Sequence, residues 1–283
     1  MSYQEFRPMR WQILPPVVKN LLIINGIMFL ATVVFENKFG FDLGEYLGLH
    51  YVTSSYFQPY QFITHLFMHG SFAHILSNMF ALWMFGNVLE NVWGGKRFLI
   101  YYLVTGLGAA VIHTGFTWYE ISNMQAAVDL FSTQGGPVDF KMLIDKYPAF
   151  VGYGEMQSIN EFIVQWKSLP NDVKLKEEAI SFANLLVERK ANVPVVGASG
   201  AVFGVLLAFG MMFPNTLIYI YFFFPMKAKW FVVLYGAFEL YSGLQNNPGD
   251  NVAHFAHLGG MLFGYILIRS WNKSRYHPFR DEY

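Results

Sequence analysis

Two side chains with complementary chemistry stand at the starts of two apolar stretches. Ser199 lies between glycines in the run GASGAVFG, and His257 opens the run HLGG. A polar or ionisable side chain at membrane depth is costly, so its presence indicates function. A hydroxyl next to an imidazole can act as a nucleophile with the imidazole as general base, and the pair therefore predicts acyl transfer. His254, one turn before His257, is a rival for the role of base.

A second polar group precedes this pair. His74 and Asn78 are four residues apart, so on a helix they share one face, where their N–H groups could stabilise an oxyanion. The alternative is that both side chains only hold a neighbouring loop. His65 and His69 have the same spacing and raise the possibility of a metal site. No glutamate stands between them as in HExxH, so we expect neither a metal nor a cofactor.

Small residues recur every four positions near both candidate catalytic residues, and such stripes let membrane helices approach closely. We expect the two stripes to face each other, which would place Ser199 and His257 at the same depth. Phe203 lies four residues after Ser199 and could pack on the imidazole or simply fill the core. The stripes consist of Gly200, Gly204 and Ala208 in the first stretch and Ala256, Gly260 and Gly264 in the second.

The composition is that of a multi-pass membrane protein. Of the 283 residues, 54% are hydrophobic and only 13% are charged, against about 25% in ordinary soluble domains. The net charge is zero, which gives no indication of a nucleic-acid partner. Cysteine is absent, so disulfides, thiol catalysis and thiolate metal sites are excluded.

Hydropathy predicts an all-α protein with six transmembrane helices, because each needs about 20 apolar residues. The first reads as a retained signal anchor, since no small-residue cleavage site follows it. Residues 214–229 read as a re-entrant or interfacial connection. Glu90 and Glu239 are expected to pair with polar neighbours as structural residues. The six predicted spans are 17–36, 72–90, 98–118, 195–213, 230–246 and 251–270.

The distribution of lysine and arginine predicts that both termini lie on the cytoplasmic side of the membrane, which we expect to be a cell (inner) membrane. The predicted organisation has a cytoplasmic segment and three helices with an outer loop, then an insertion that is a lid, binding element or subdomain. Three more helices and a cytoplasmic tail follow. In numbers, these are 1–16, 17–118 with the loop 37–71, the extracytoplasmic insertion 119–192 with amphipathic stretches at 157–168 and 172–190, then 193–271 and 272–283.

Together these motifs resemble the rhomboid family of intramembrane serine proteases. The resemblance rests on GASG around Ser199, the His74 and Asn78 pair, and HLGG from His257 with Gly264. It implies a six-helix bundle in which Ser199 is the nucleophile and His257 the base, without an aspartate. His74, Asn78 and the Ser199 backbone N–H would bind the oxyanion, with Gly197, Gly200, Phe203, Gly260 and Gly264 in support. The long insertion departs from the family pattern.

The resemblance implies an endopeptidase that cleaves transmembrane proteins, single-pass or other, in contact with membrane lipids and near the outer part of the bilayer. The alternative is a catalytically inactive relative that binds and escorts membrane proteins, although Ser199 and His257 are both retained. A transporter is a third hypothesis, but the paired inverted repeats and broken helices typical of transporters are not evident in the sequence.

Overall fold

The fold, obtained as a computed structural model, is described for residues 11–220, 223–245 and 252–273 and is mostly helical. In chain order the helices are α1 Pro16–Phe39, α2 Leu43–Leu47, α3 Gln61–Thr64, α4 Phe72–Ala81, α5 Asn87–Trp93, α6 Gly95–Gln134, α7 Pro137–Lys146, α8 Glu155–Ser168, α9 Val173–Ala191, α10 Ser199–Met212, α11 Ala228–Gln245 and α12 His254–Lys273. An antiparallel hairpin of β1 Leu217–Ile220 and β2 Phe224–Lys227 lies between α10 and α11.

Three helices of the described chain are long and apolar enough to cross a membrane. They are α1, α6 and the continuous helix Phe72–Trp93, in which α4 and α5 are joined by a π-helical turn at Leu82–Gly86. Helix α10 is apolar but has only 14 residues, whereas α11 and α12 have 18 and 20. The chain therefore contains several apolar helices of spanning character, and the six-span arrangement stays a prediction.

Three features differ from the sequence prediction. The third predicted helix does not end at residue 118, because α6 continues to Gln134 as one helix of 40 residues. Residues 214–229 contain the hairpin, so an all-α description misses one small sheet. The segments 1–16 and 272–283, and the predicted ends at 246 and 251, lie wholly or partly outside the described residues.

Close packing of α6, α10 and α12 forms the centre of the bundle. A Cβ atom at Gly260 of α12 would overlap the carbonyl oxygen of Gly200 on α10, so these backbones touch. Gly204 instead faces Thr105 of α6, and the Tyr101 hydroxyl donates a hydrogen bond of 2.8 Å to the Gly204 carbonyl. The two small-residue stripes thus touch each other at Gly200 and Gly260, whereas Gly204 and Gly264 pack against α6.

Glu90 fixes the start of α1 against α5. Its carboxylate is buried and accepts hydrogen bonds from the backbone N–H groups of Val17 and Val18, at 2.9 and 2.7 Å. The first N–H groups of a helix lack intrahelical partners, so a carboxylate there satisfies them and complements the helix dipole. This is the structural role expected from the sequence.

The C-terminal half of α6 and helices α7 to α9 enclose a second hydrophobic core, separate from that of the bundle. The predicted amphipathic stretches become α8 and α9, whose apolar faces are buried in it. Arg189 of α9 donates hydrogen bonds of 2.7 and 2.8 Å to both carboxylate oxygens of Glu155, at the start of α8. The core residues include Met124, Val128, Phe131, Phe140, Ile144, Ile163, Trp166, Ala183 and Leu186.

The Arg189–Glu155 pair is expected to make the packing of α8 against α9 sensitive to acid. The Arg189 guanidinium hydrogen-bonded to Glu155 lowers the pKa of that carboxyl from 4.5 to about 2. A depressed carboxyl pKa contributes stability that is present above about 4.5 and is lost as the pH falls through about 2. After correction for the intrinsic pH dependence of amide exchange, the hydrogen-exchange protection of α8 and α9 should therefore fall between about pH 4.5 and about pH 2, measured by mass spectrometry.

Arg189→Lys should remove most of this pH dependence, because a lysine ammonium cannot form the bidentate hydrogen bonds that the guanidinium makes to Glu155. Lys141→Ala is the control, since Lys141 and Asp145 form an exposed pair one helical turn apart. Such pairs contribute about 0.3–0.5 kcal/mol, so Lys141→Ala should leave the exchange profile unchanged. Equal profiles for all three proteins would show that the Arg189–Glu155 pair does not stabilise the packing of α8 against α9.

Candidate active site

Ser199 lies at the first position of α10, after a loop that is held on both sides. Val195 and Leu49 exchange backbone hydrogen bonds of 2.8 and 2.9 Å, and the Gly197 N–H donates to the His65 carbonyl at 2.9 Å. Helix α10 starts without a side-chain cap. The first N–H groups of the helix have no intrahelical partner, which leaves them available to a bound anion.

Gly197 brings this loop against His74. Its φ of 128° is outside the range that side chains with a Cβ adopt readily, and a Cβ there would lie 2.8 Å from His74 Nε2. The same hypothetical Cβ would be 3.6 Å from Ser199 Oγ. The absence of a side chain at Gly197 thus allows the His74 ring and the Ser199 hydroxyl to converge on one small region.

His257 packs face to face on Phe203. The ring centroids are 4.1 Å apart and the ring planes differ by 7°. Phe203 is one turn after Ser199, so the imidazole lies along the helix face that carries Ser199. No direct hydrogen bond joins Ser199 and His257, both of which are among the described residues. The helices therefore bring Ser199 and His257 to one face, but the expected hydrogen bond between them is not formed.

The Nδ1 atom of His257 contacts Glu239 of α11. One carboxylate oxygen, Oε2, lies 2.8 Å from His257 Nδ1 and 2.6 Å from His254 Nδ1. All three side chains are buried. The sequence reasoning expected a polar partner for Glu239 but did not connect it with His257. The available signal was a carboxylate within an apolar stretch, which is costly unless it is paired.

The His74 and Asn78 pair lies on α4 as the spacing predicts. The Asn78 side-chain N–H donates a hydrogen bond of 3.0 Å to the His74 carbonyl, which occupies one of its two donors. The His74 ring lies at 5.0 Å from the ring of buried His69, nearly edge to face. Asn78 thus has a structural contact, and its second N–H is available for an oxyanion.

The side chains that could hold a metal ion are not His65 and His69, the pair considered from the sequence. His65 uses Nδ1 in a 2.8 Å contact with the Gln61 carbonyl, and His69 packs against His74. Within the described residues, the three-ligand cluster is Glu239, His254 and His257, whose ligand atoms lie within 4.8 Å of one another. Their N–O separations are hydrogen-bond distances, shorter than the roughly 3.3 Å expected for two ligands about 2.0–2.1 Å from a tetrahedral zinc ion.

Gly197→Ala should lower stability, because the new side chain must adopt an unfavourable φ and displace His74. Backbone strain of this kind costs about 1–3 kcal/mol. Gly115→Ala is a matched control, since a Cβ at Gly115 meets nothing within 4 Å and the position is helical. There the change should be neutral or stabilising by up to about 1 kcal/mol. Thermal unfolding in detergent measures both, and equal melting temperatures would contradict the assigned role of Gly197.

Comparison with known proteins identifies the family. The sequence model described as Rhomboid domain matches residues 56–123 and 179–271, which is more than half of the chain. Ser199, His257, His74, Asn78 and Glu239 all lie within the matched ranges. Residues 124–178, which contain α7 and α8, are outside the match.

Individual relatives are similar over different parts of the chain. Rhomboid-like protein 15 of Arabidopsis thaliana is 31% identical over 36% of this chain and 25% of its own length. RHOMBOID-like protein 12, mitochondrial, of Arabidopsis thaliana is 24% identical over 92% of this chain and 60% of its own length. Rhomboid protease GluP of Bacillus subtilis (strain 168) is 29% identical over 24% of this chain and 14% of its own length.

The chain therefore spans less than two thirds of the length of these curated relatives. The family match and the apolar helices agree on its class: the chain is a membrane protein that belongs to the rhomboid family.

Proposed function

We propose that this chain is an intramembrane serine endopeptidase that cleaves transmembrane proteins, with Ser199 as nucleophile and His257 as general base. The observation that supports this most strongly is the position of His257. Its ring is stacked on Phe203, one turn from Ser199, and its Nδ1 is bonded to a carboxylate. A relative with the printed name rhomboid protease supports the same reaction class.

In the proposed reaction, the Ser199 hydroxyl attacks the carbonyl carbon of the scissile peptide. His257 Nε2 accepts the hydroxyl proton and later donates it to the leaving amine. A small movement of Ser199 or His257 must first bring Oγ and Nε2 into hydrogen-bond contact, and substrate binding can supply it because such contacts often tighten only in the complex. Water then hydrolyses the acyl-enzyme.

The developing oxyanion would receive hydrogen bonds from His74, the free N–H of Asn78 and the Ser199 backbone N–H. The support for this is the convergence of His74 and Ser199 at Gly197, together with the uncapped start of α10. Because these donors strengthen as charge develops, they lower the barrier more than they tighten substrate binding.

The proposed setting is a six-span bundle in a cell (inner) membrane, with both termini cytoplasmic and the insertion on the outer side. The support is the six helices α1, α4–α5, α6, α10, α11 and α12, and the lysine and arginine distribution in the sequence. Substrates would be single-pass or other transmembrane proteins in contact with membrane lipids, and water would enter from the outer face.

A fluorophosphonate probe tests the nucleophile directly. Wild-type protein should be labelled covalently, and Ser199→Ala should abolish labelling while the melting temperature is retained. Ser132→Ala is the control, because Ser132 is a half-buried serine near the C-terminal end of α6 whose hydroxyl donates a hydrogen bond to the Asp129 carbonyl. Undiminished labelling of Ser199→Ala would refute the assignment, and an unreactive, folded wild-type protein would favour the inactive escort function.

His257→Ala should be as damaging as Ser199→Ala, and the double variant should be no slower than either single variant. Residues that act as one catalytic unit are strongly non-additive, so the three residual cleavage rates should agree within about threefold. Cleavage of a transmembrane substrate in reconstituted vesicles provides the rates. If the two losses multiply instead, Ser199 and His257 do not act together.

Asn78→Ala distinguishes an oxyanion donor from a structural residue. Loss of one such donor costs about 10²–10³ in turnover in soluble serine proteases, and KM should change little. Asn25→Ala is the matched control, because Asn25 is also buried and donates one turn back, to the Leu21 carbonyl at 2.8 Å. It should reduce stability alone. Equal kcat values for the two folded variants would assign Asn78 a purely structural role.

A further inference from the structure

The carboxylate of Glu239 is placed where a third catalytic-site member would be. It is 2% exposed within the apolar helix α11, and its Oε2 atom meets Nδ1 of both His254 and His257. A buried carboxylate without partners would be strongly destabilising, and two imidazole donors satisfy it. This contact lies on the side of the His257 ring opposite Nε2.

A carboxylate can only accept hydrogen bonds, so the contact determines which nitrogen of His257 carries the proton. Nδ1 is the donor to Glu239, and Nε2 therefore keeps the free lone pair that a general base needs. Phe203 restricts the plane of the ring, and Glu239 restricts its rotation within that plane. Together they leave one orientation and one tautomer.

The same contact changes the energy of the proton transfer. When Nε2 accepts the Ser199 proton, the imidazole becomes a cation inside a bundle of low dielectric constant. A carboxylate at 2.8 Å stabilises that cation more effectively than water at the surface would. The stabilisation is absent from the neutral ground state, so it acts on kcat.

We infer that Glu239 is a positioning residue that orients and charge-stabilises His257, so that the site works as a Ser199–His257–Glu239 triad. This rests on the proposed function and adds a carboxylate to the dyad that the family resemblance implies. His254, the second donor to Oε2, holds the carboxylate in place.

The inference is tested by Glu239→Gln, which preserves the shape of the side chain and removes its charge. An amide can also donate to Nδ1, which would favour the wrong tautomer of His257. The kcat for a reconstituted transmembrane substrate should fall at least about tenfold, towards the loss of about 10⁴ seen when a soluble protease loses this carboxylate. KM should stay within about twofold, because binding of the ground state is unaffected.

Glu90→Gln is the matched control, because Glu90 is an equally buried glutamate whose carboxylate accepts from Val17 and Val18. It should lower the melting temperature and leave the kcat of the folded protein unchanged. His254→Ala should reduce kcat less than Glu239→Gln does, because it leaves the Glu239–His257 contact in place. The reverse order of these two losses would overturn the inference.

The outcomes separate this inference from the proposed function. A folded wild-type protein that neither cleaves nor reacts with the serine probe would refute both the proposed function and the triad. If the wild type is active and the Glu239→Gln variant is equally active, only the triad is refuted.

Metal content gives a separate outcome. Stoichiometric metal in purified wild-type protein that is lost in Glu239→Gln would also overturn the triad, because the cluster would then be a metal site. If Glu239→Gln does not fold, Glu239→Asp is the second variant, because it shortens the side chain by one methylene and draws the carboxylate away from His257. A lower kcat at unchanged KM would support the triad, and a wild-type kcat would overturn it.

Discussion

The close approach of α10 and α12 at Gly200 and Gly260 is the contact on which the candidate site depends. A methyl group at Gly260 would overlap the Gly200 carbonyl, so only glycine permits this separation. Once the backbones touch there, Phe203 and His257, one turn to either side of the contact, meet ring to ring. In a bilayer, packing of this kind replaces the hydrophobic effect as the force between helices, which is why small residues determine the geometry.

Helix α6 completes this arrangement from the third side. Tyr101 and Thr105 fill the space beside Gly204, and the Tyr101 hydroxyl bonds the Gly204 carbonyl. Ala109, one turn further, lies against Gly200. The helix that carries Ser199 is therefore held by two neighbours along most of its length. Ser199 begins a helix of only 14 residues, so its fixed position depends on these contacts rather than on helix propensity.

The sequence predicts the parts of the site that repeat with the helical period. Ser199 and Phe203, and His74 and Asn78, are each four residues apart, and each pair shares a face as expected. It does not predict the partner of Glu239, because that contact joins α11 to α12 across a tertiary interface. Likewise, α6 passes residue 118 without a break although its sequence becomes polar, since its C-terminal half is stabilised by the packing of Met124, Val128 and Phe131 into the second core.

The continuity of α6 also connects the second core with the bundle that holds the candidate site. A helix of 40 residues is about 60 Å long, roughly twice the thickness of the hydrocarbon core. Its N-terminal half packs on α10 and α12, and its C-terminal half contributes to the second core. At the other end, α9 leads through Asn192, which accepts a hydrogen bond of 2.7 Å from Ser54, into the loop before Ser199. The segment from the C-terminal half of α6 to α9 is thus joined to the bundle by a continuous helix on one side and by the loop that precedes Ser199 on the other.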